Sequence, residues 1–214
     1  MRSVRALHLT PYLLPSLRDW LSPADQPCHM DLIFVLAGGM NRKVYALELF
    51  RQQLAPKILF SVARFEIRRF SKMSLPIALN LLKLAQDVPP PERHYFVLFE
   101  EQRVSVSHVC PKRFGTFTEI ASLAQWLRGN PQVRSLLIIS NSTHLRRIRM
   151  CCQTLLGRNI EVKFVAAPPS APSESQETPD TPLAAGLIEF SKVLFYWLLL
   201  KLRKFPRNDE ASAD

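Results

Sequence analysis

Three short segments carry residues whose types and spacing can do chemistry: Gly38-Gly39 with Arg42, Thr116 with Glu119, and the run from Ser140 through Ser142 and His144 to Arg147. His144 and Glu119 are the available acid/base pair, because an imidazole can protonate a leaving group or activate water near neutral pH. Arg42 and Arg147 are candidate clamps for an anion through their guanidinium forks, and the Gly38-Gly39 turn is a place where backbone can approach it closely. Ser61, Thr116, Ser140 and Ser142 complete the candidate ligand-binding set. The chemistry this implies is recognition of a small phosphorylated or nucleotide-like anion, compatible with hydrolase or transferase steps. Each motif also has a purely structural explanation. Thr116 and Glu119 match a capping box, and a histidine at a helix start can simply buttress it.

Strands and helices must position these residues. The apolar run Leu136 to Ile139 reads as a strand covered on both faces, and Ser140 to Thr143 supply turn and cap chemistry before a helix from about His144. Arg146, Arg147 and Arg149 occupy the first turns of that helix, against its dipole, at a cost of about 0.3–1 kcal/mol each. An anion at the helix start would explain them, and so would exposure or pairing with carboxylates elsewhere. The same strand–turn–helix pattern occurs at Leu32 to Ala37, with Gly38-Gly39 as the turn, Asn41 as the cap, and Val44, Leu47, Phe50 and Leu54 facing the sheet. Further strands are expected at Lys57–Ser61, His94–Phe99, Arg103–Val106 and Ile160–Val165. A helix is expected from Ser74 or Pro76 through Leu84, and another from Thr116 along Ile120, Leu123 and Leu127. Alternating strands and helices predict an α/β fold: a three-layer Rossmann-like domain with a mostly parallel sheet and an added C-terminal helix. In such sheets the ligand crevice lies beyond the carboxyl ends of the strands, where all the candidate residues fall.

The chain has 214 residues, 47% of them hydrophobic, enough for one core, and a formal net charge of +10 that favours anionic partners. The basic residues are scattered and show no nucleic-acid signature, so no nucleic-acid partner is expected. No metal is implied, since Cys28-His29, His108 and Cys110 lack ligand spacing, and Cys151-Cys152 read as small core residues. Residues 1–30 read as an N-terminal arm without signal-peptide character, 31–166 as the α/β domain, 167–182 as a flexible Pro/Ser/acidic linker, 183–205 as an apolar-basic helix, and 206–214 as a disordered tail. The helix packs on the sheet, lies at an anionic membrane surface with its basic end as anchor, or, against the interruption by Glu189 and Lys192, spans a bilayer. The expected location is cytoplasmic, with a peripheral place at the inner membrane if the second option holds.

With these residues assembled, the chain resembles the YdcF/SanA/ElyC family of bacterial proteins. The resemblance rests on Asp31, Gly38, Gly39, Arg42 and Ala46, on Thr116 and Glu119, on Ser140, His144 and Arg147, and on Glu189 and Tyr196 of the C-terminal helix. Ser61-Val62-Ala63 departs from the family's Ser-Gly-Gly, and Glu100 to Val109 looks like an extra stretch. Membership would imply a Rossmann-like fold, an envelope-related role and, by analogy with a cytoplasmic relative, S-adenosylmethionine as a possible cofactor. Two other readings stay open beside an anion-processing site. One is a non-catalytic S-adenosylmethionine or nucleotide-binding module; the other is a peripheral envelope-assembly factor acting through residues 183–205.

Overall fold

A computed structural model describes residue 20 and residues 22–109, 115–169 and 182–202. The remainder of the N-terminal arm, most of the linker, Cys110, the basic residues Arg203, Lys204 and Arg207, and the tail lie outside the described residues. Six strands form one sheet in the order β4-β3-β2-β1-β5-β6. They are β1 (Leu32–Val35), β2 (Lys57–Ala63), β3 (His94–Glu100), β4 (Arg103–His108), β5 (Ser135–Asn141) and β6 (Glu161–Ala167). β1, β2, β5 and β6 run parallel, whereas β3 and β4 are antiparallel to their neighbours.

Successive strand residues point to opposite faces, and the apolar strands therefore feed two cores. Ile33, Val35, Ile58, Phe60, Leu137 and Ile139 pack on one face with α1 (Met40–Arg51), α2 (Ile67–Phe70) and α3 (Leu81–Leu84). Leu32, Phe34, Leu59, Leu136 and Ile138 pack on the other with α4 (Gly115–Arg128) and α5 (Leu145–Leu155). The result is the expected three-layer α/β fold. A last helix, α6 (Pro182–Leu202), lies on α5 and inserts Tyr196 into that second core. No described helix is long and apolar enough to cross a membrane.

Several local expectations are corrected. The helix expected from Ser74 reduces to the single turn of α3, because Leu75, Ile77 and Leu79 are half-buried while Pro76 and Ala78 are exposed. That period of two belongs to an extended segment. Asn41 does not cap α1; Gly39 is the N-cap, and the Asn41 amide donates to the Pro168 carbonyl at 2.7 Å. The buried face of α1 is offset from the expected one, with Lys43, Ala46 and Leu47 inside and Val44 48% exposed. Ser142–His144 forms a short 3-10 turn, so the α-helix after β5 starts at Leu145. The extra-looking stretch from Glu100 is the β3–β4 hairpin, turning through Glu101 with φ of 49°.

Candidate functional site

β1 lies between β2 and β5, so the chain leaves it in one direction for β2 and later returns on its other side. That reversal opens a crevice beyond the carboxyl ends of β1 and β5. A cleft of about 890 Å³ occupies it. Gly38, Gly39, Arg42, Thr116, Glu119, Ser140, His144 and Arg147 all line it, as the sequence predicts. Ser61 lies beneath the wall, fully buried near the end of β2. Ser142 is not on the wall; Asn141 and Thr143 flank the cleft at that turn.

Gly38 has φ of +132°, and a Cβ there would lie 2.8 Å from the Arg42 guanidinium. Only glycine combines that backbone with so close an approach. The group that approaches is therefore Arg42 itself. Its Nε donates to Asn141 Oδ1 at 2.9 Å, its Nη1 to the Ala37 carbonyl at 2.6 Å, and its Nη2 meets His144 Nδ1 at 3.1 Å. A guanidinium can only donate, so His144 Nδ1 is the acceptor and the neutral ring carries its proton on Nε2. Nε2 faces Glu189 Oε1 of α6 at 3.5 Å. Burial, with Arg42, Arg147 and Lys192 nearby, pushes the His144 pKa down to about 3. Burial first, and then the three neighbouring cations, disfavour the imidazolium, which does not suit the ring to the acid or base role expected of it near neutral pH.

Glu119 belongs to a separate network. Its Oε1 accepts the Ala37 amide at 2.8 Å and the Ser61 hydroxyl at 2.5 Å, and Ser61 Oγ in turn meets His94 Nε2 at 2.7 Å. With the Ser61 proton committed to the carboxylate, His94 Nε2–H is the donor. Desolvation, opposed by these hydrogen bonds, raises the Glu119 pKa, and burial beside Lys43 lowers that of His94 to about 4. The expected capping box is not formed by this carboxylate, which reaches across to β1 and β2 instead. Nor do Glu119 and His144 hydrogen-bond to each other: the two expected partners serve different halves of the cleft. Thr116 shares a hydrogen bond with the Tyr196 hydroxyl.

Lys43, Glu66 and His94 escaped the sequence reading as site residues, and Glu189 was tied to the candidate site only through the family resemblance. Lys43 is fully buried and pairs with Glu66 Oε1 at 3.1 Å. Glu66 also accepts the amides of Gly38 and of Ala63, tying the β1 corner to the end of β2. The Gly38 amide is thereby already used, which leaves the first amides of α1 as backbone donors at this corner. His94 reaches this edge because β3 enters antiparallel, opposite Ala63. Glu189 binds Arg147 Nη1 at 2.9 Å and Lys192 Nζ at 2.7 Å. A lysine at helical spacing within a buried stripe was the available signal for Lys43; the antiparallel entry of β3 had none.

Of the three arginines opening α5, only Arg147 faces the cleft. Arg149 pairs with Asp25 at 3.1 Å, and Arg146 stacks 4.3 Å over Trp20. The cleft wall carries five Lys/Arg side chains (Arg42, Arg64, Arg93, Arg147 and Lys192) against two carboxylates, Glu119 and Glu189. Ser140 Oγ and Arg147 Nε are buried there without a hydrogen-bond partner. No group of His, Cys, Asp and Glu among the described residues is arranged to hold a metal ion. Comparison of the chain with family models, curated proteins and solved structures finds no match.

Proposed function

We propose that the cleft binds a small anionic ligand, phosphorylated or nucleotide-like, at the carboxyl edge of the sheet. The observation that carries this reading is the convergence of five cationic side chains on one concave wall with only two carboxylates among them. The start of α1 adds unpaired amides and the positive end of its dipole. The ligand's charge falls on the groups with spare capacity. Arg64 is exposed on the wall, Lys192 is half-exposed, and Ser140 Oγ has no partner. Arg42, with three donors already committed, holds Ala37, Asn141 and His144 in register around that site.

The resemblance to the YdcF/SanA/ElyC family supports the same location, since Arg42, Thr116, Glu119, Ser140, His144 and Arg147 gather along one wall. S-adenosylmethionine and nucleotides are therefore the first ligands to try, together with phosphorylated lipid headgroups. For any proton transfer in the cleft, Glu119 is better suited than His144. Its raised pKa brings it closer to neutrality, whereas the imidazole is held uncharged far below it.

The test is thermal stabilisation of the full chain by inorganic phosphate, nucleotides, S-adenosylmethionine and phosphorylated headgroups. A ligand at about 100 times its Kd stabilises the native state by about 2.7 kcal/mol. The reading expects one of these anions to raise the melting temperature and Arg64→Ala with Lys192→Ala to remove most of the effect. No shift with any of them, or a shift unchanged in the double variant, contradicts it.

A further inference from the structure

We propose that the outer face of α6 docks the protein on an anionic lipid surface, with the helix lying in the plane of the interface. The two sides of α6 differ sharply. Glu189, Val193 and Tyr196 are buried against the domain, whereas Phe190 is 41%, Leu194 56%, Trp197 48% and Leu198 49% exposed. With Ile188 at 46% and Phe195 at 47%, six large apolar side chains of this one helix are exposed among the described residues, and Phe190, Leu194, Trp197 and Leu198 form a contiguous stripe interrupted by no polar residue. Between α5 and α6 this face deepens into a groove of about 520 Å³ that includes Trp20, Met150, Phe190, Leu194 and Trp197.

Charge selects the occupant. The Arg146 guanidinium lies 4.3 Å over the Trp20 ring, and Lys201 Nζ 5.5 Å over the ring of Trp197. These pairs place cations beside amphipathic indoles, the combination favoured at headgroup depth. α5 has no carboxylate in its sequence, and Glu189, the single acid between Ile188 and Lys201, points inward to Arg147. The sequence continues past Lys201 with Arg203, Lys204 and Arg207 before the acids Asp209, Glu210 and Asp214, and the whole chain carries +10. A second copy is a poor occupant, because a twofold contact would bring the Arg146 and Lys201 cations of both copies into one interface with no outward-facing acid on α5 or α6 to neutralise them. Anionic headgroups neutralise them, and the acyl boundary takes Leu194 and Trp197.

The experiment is co-sedimentation of the full chain with vesicles of phosphatidylcholine alone and of phosphatidylcholine with about 30 mol % phosphatidylglycerol, at low and at raised salt. The expected result is partitioning into the anionic vesicles about tenfold above the neutral ones, weakened by salt. Leu194→Glu with Trp197→Glu should lower partitioning about tenfold or more, since both apolar anchors are replaced by acids. Arg146→Gln with Lys201→Gln should leave weak binding that no longer prefers phosphatidylglycerol. All four positions are at least partly exposed, and unchanged melting of each variant shows that folding is intact. Equal partitioning of wild type into both vesicle types, or none into either, overturns the proposal. So does a concentration-dependent dimer that Leu194→Glu with Trp197→Glu dissolves, which would assign the face to a second copy.

Discussion

Two buried carboxylates stand at the same edge of the sheet and are held in different ways. Glu66 is satisfied by two backbone amides, those of Gly38 and Ala63, and by the fully buried Lys43. Glu189 is held by side chains alone, Arg147 and the half-exposed Lys192, with His144 close by. Amides belong to the backbone and cannot leave without unfolding the corner, whereas side chains can trade one carboxylate for another anion. The first carboxylate is a brace and the second an exchangeable counter-ion. The two halves of the cleft divide the same way: Glu119, Ser61 and His94 form a closed chain of hydrogen bonds, while Arg147 Nε and Ser140 Oγ stay unpaired.

The largest effect expected from breaking this contrast is at the brace. Lys43→Met leaves the Glu66 charge buried and should cost about 3–5 kcal/mol by urea denaturation. Adding Glu66→Gln removes the stranded charge and should return most of that loss. Glu189→Gln should be milder, about 1–2 kcal/mol, because Lys192 reaches water and Arg147 keeps a neutral acceptor. The same substitution frees two cations, so phosphate or nucleotide should bind the variant more tightly than wild type. Equal stability losses for Lys43→Met and Glu189→Gln would dissolve the distinction between brace and counter-ion.

Acidification sharpens it further. The unfolded histidines take up protons near pH 6.5, the folded His94 only near 4 and the folded His144 only near 3. Their contribution to stability is thus complete above pH 6.5 and is lost as pH falls towards those values. Glu119, whose pKa is raised, acts in the opposite sense, being less costly to bury once protonated. Comparing the stability of wild type and His144→Asn from pH 7 to pH 4 isolates the His144 contribution. The gap between them should narrow on acidification, and a gap independent of pH would count against a neutral, cation-surrounded imidazole.

How much of this was legible in the sequence follows from the range of the forces involved. Apolar runs such as Leu136–Ile139 announce their strands because burial on both faces removes polar residues locally, and the layer order follows from alternation. The common edge of Gly38, Glu119, Ser140, His144 and Arg147 was legible for the same reason, each lying at a strand end or helix start. The pairing inside the cleft was not. Glu119 joins Ala37 at 82 residues' separation and Arg42 joins His144 at 102, contacts that no local pattern encodes. His94 was missed because only the antiparallel entry of β3 brings it to this edge. The segment after Ser74 misled because Ile77, Leu81 and Leu84 fit a helical period, while the buried residues actually alternate in an extended chain.

The most direct test of the central claim is an NMR titration of the His94 and His144 imidazoles with inorganic pyrophosphate and then with a nucleotide. Burial and the nearby Arg42, Arg147 and Lys192 hold His144 neutral; an anion arriving among Arg64, Arg147 and Lys192 offsets the cationic part, so its resonances should move saturably and its pKa should rise. His94, enclosed with Ser61 and Glu119, should move far less, and Arg64→Ala with Lys192→Ala should abolish the response at His144. Unmoved resonances at both rings, or equal movement at both, would contradict an anion site in the open half of the cleft.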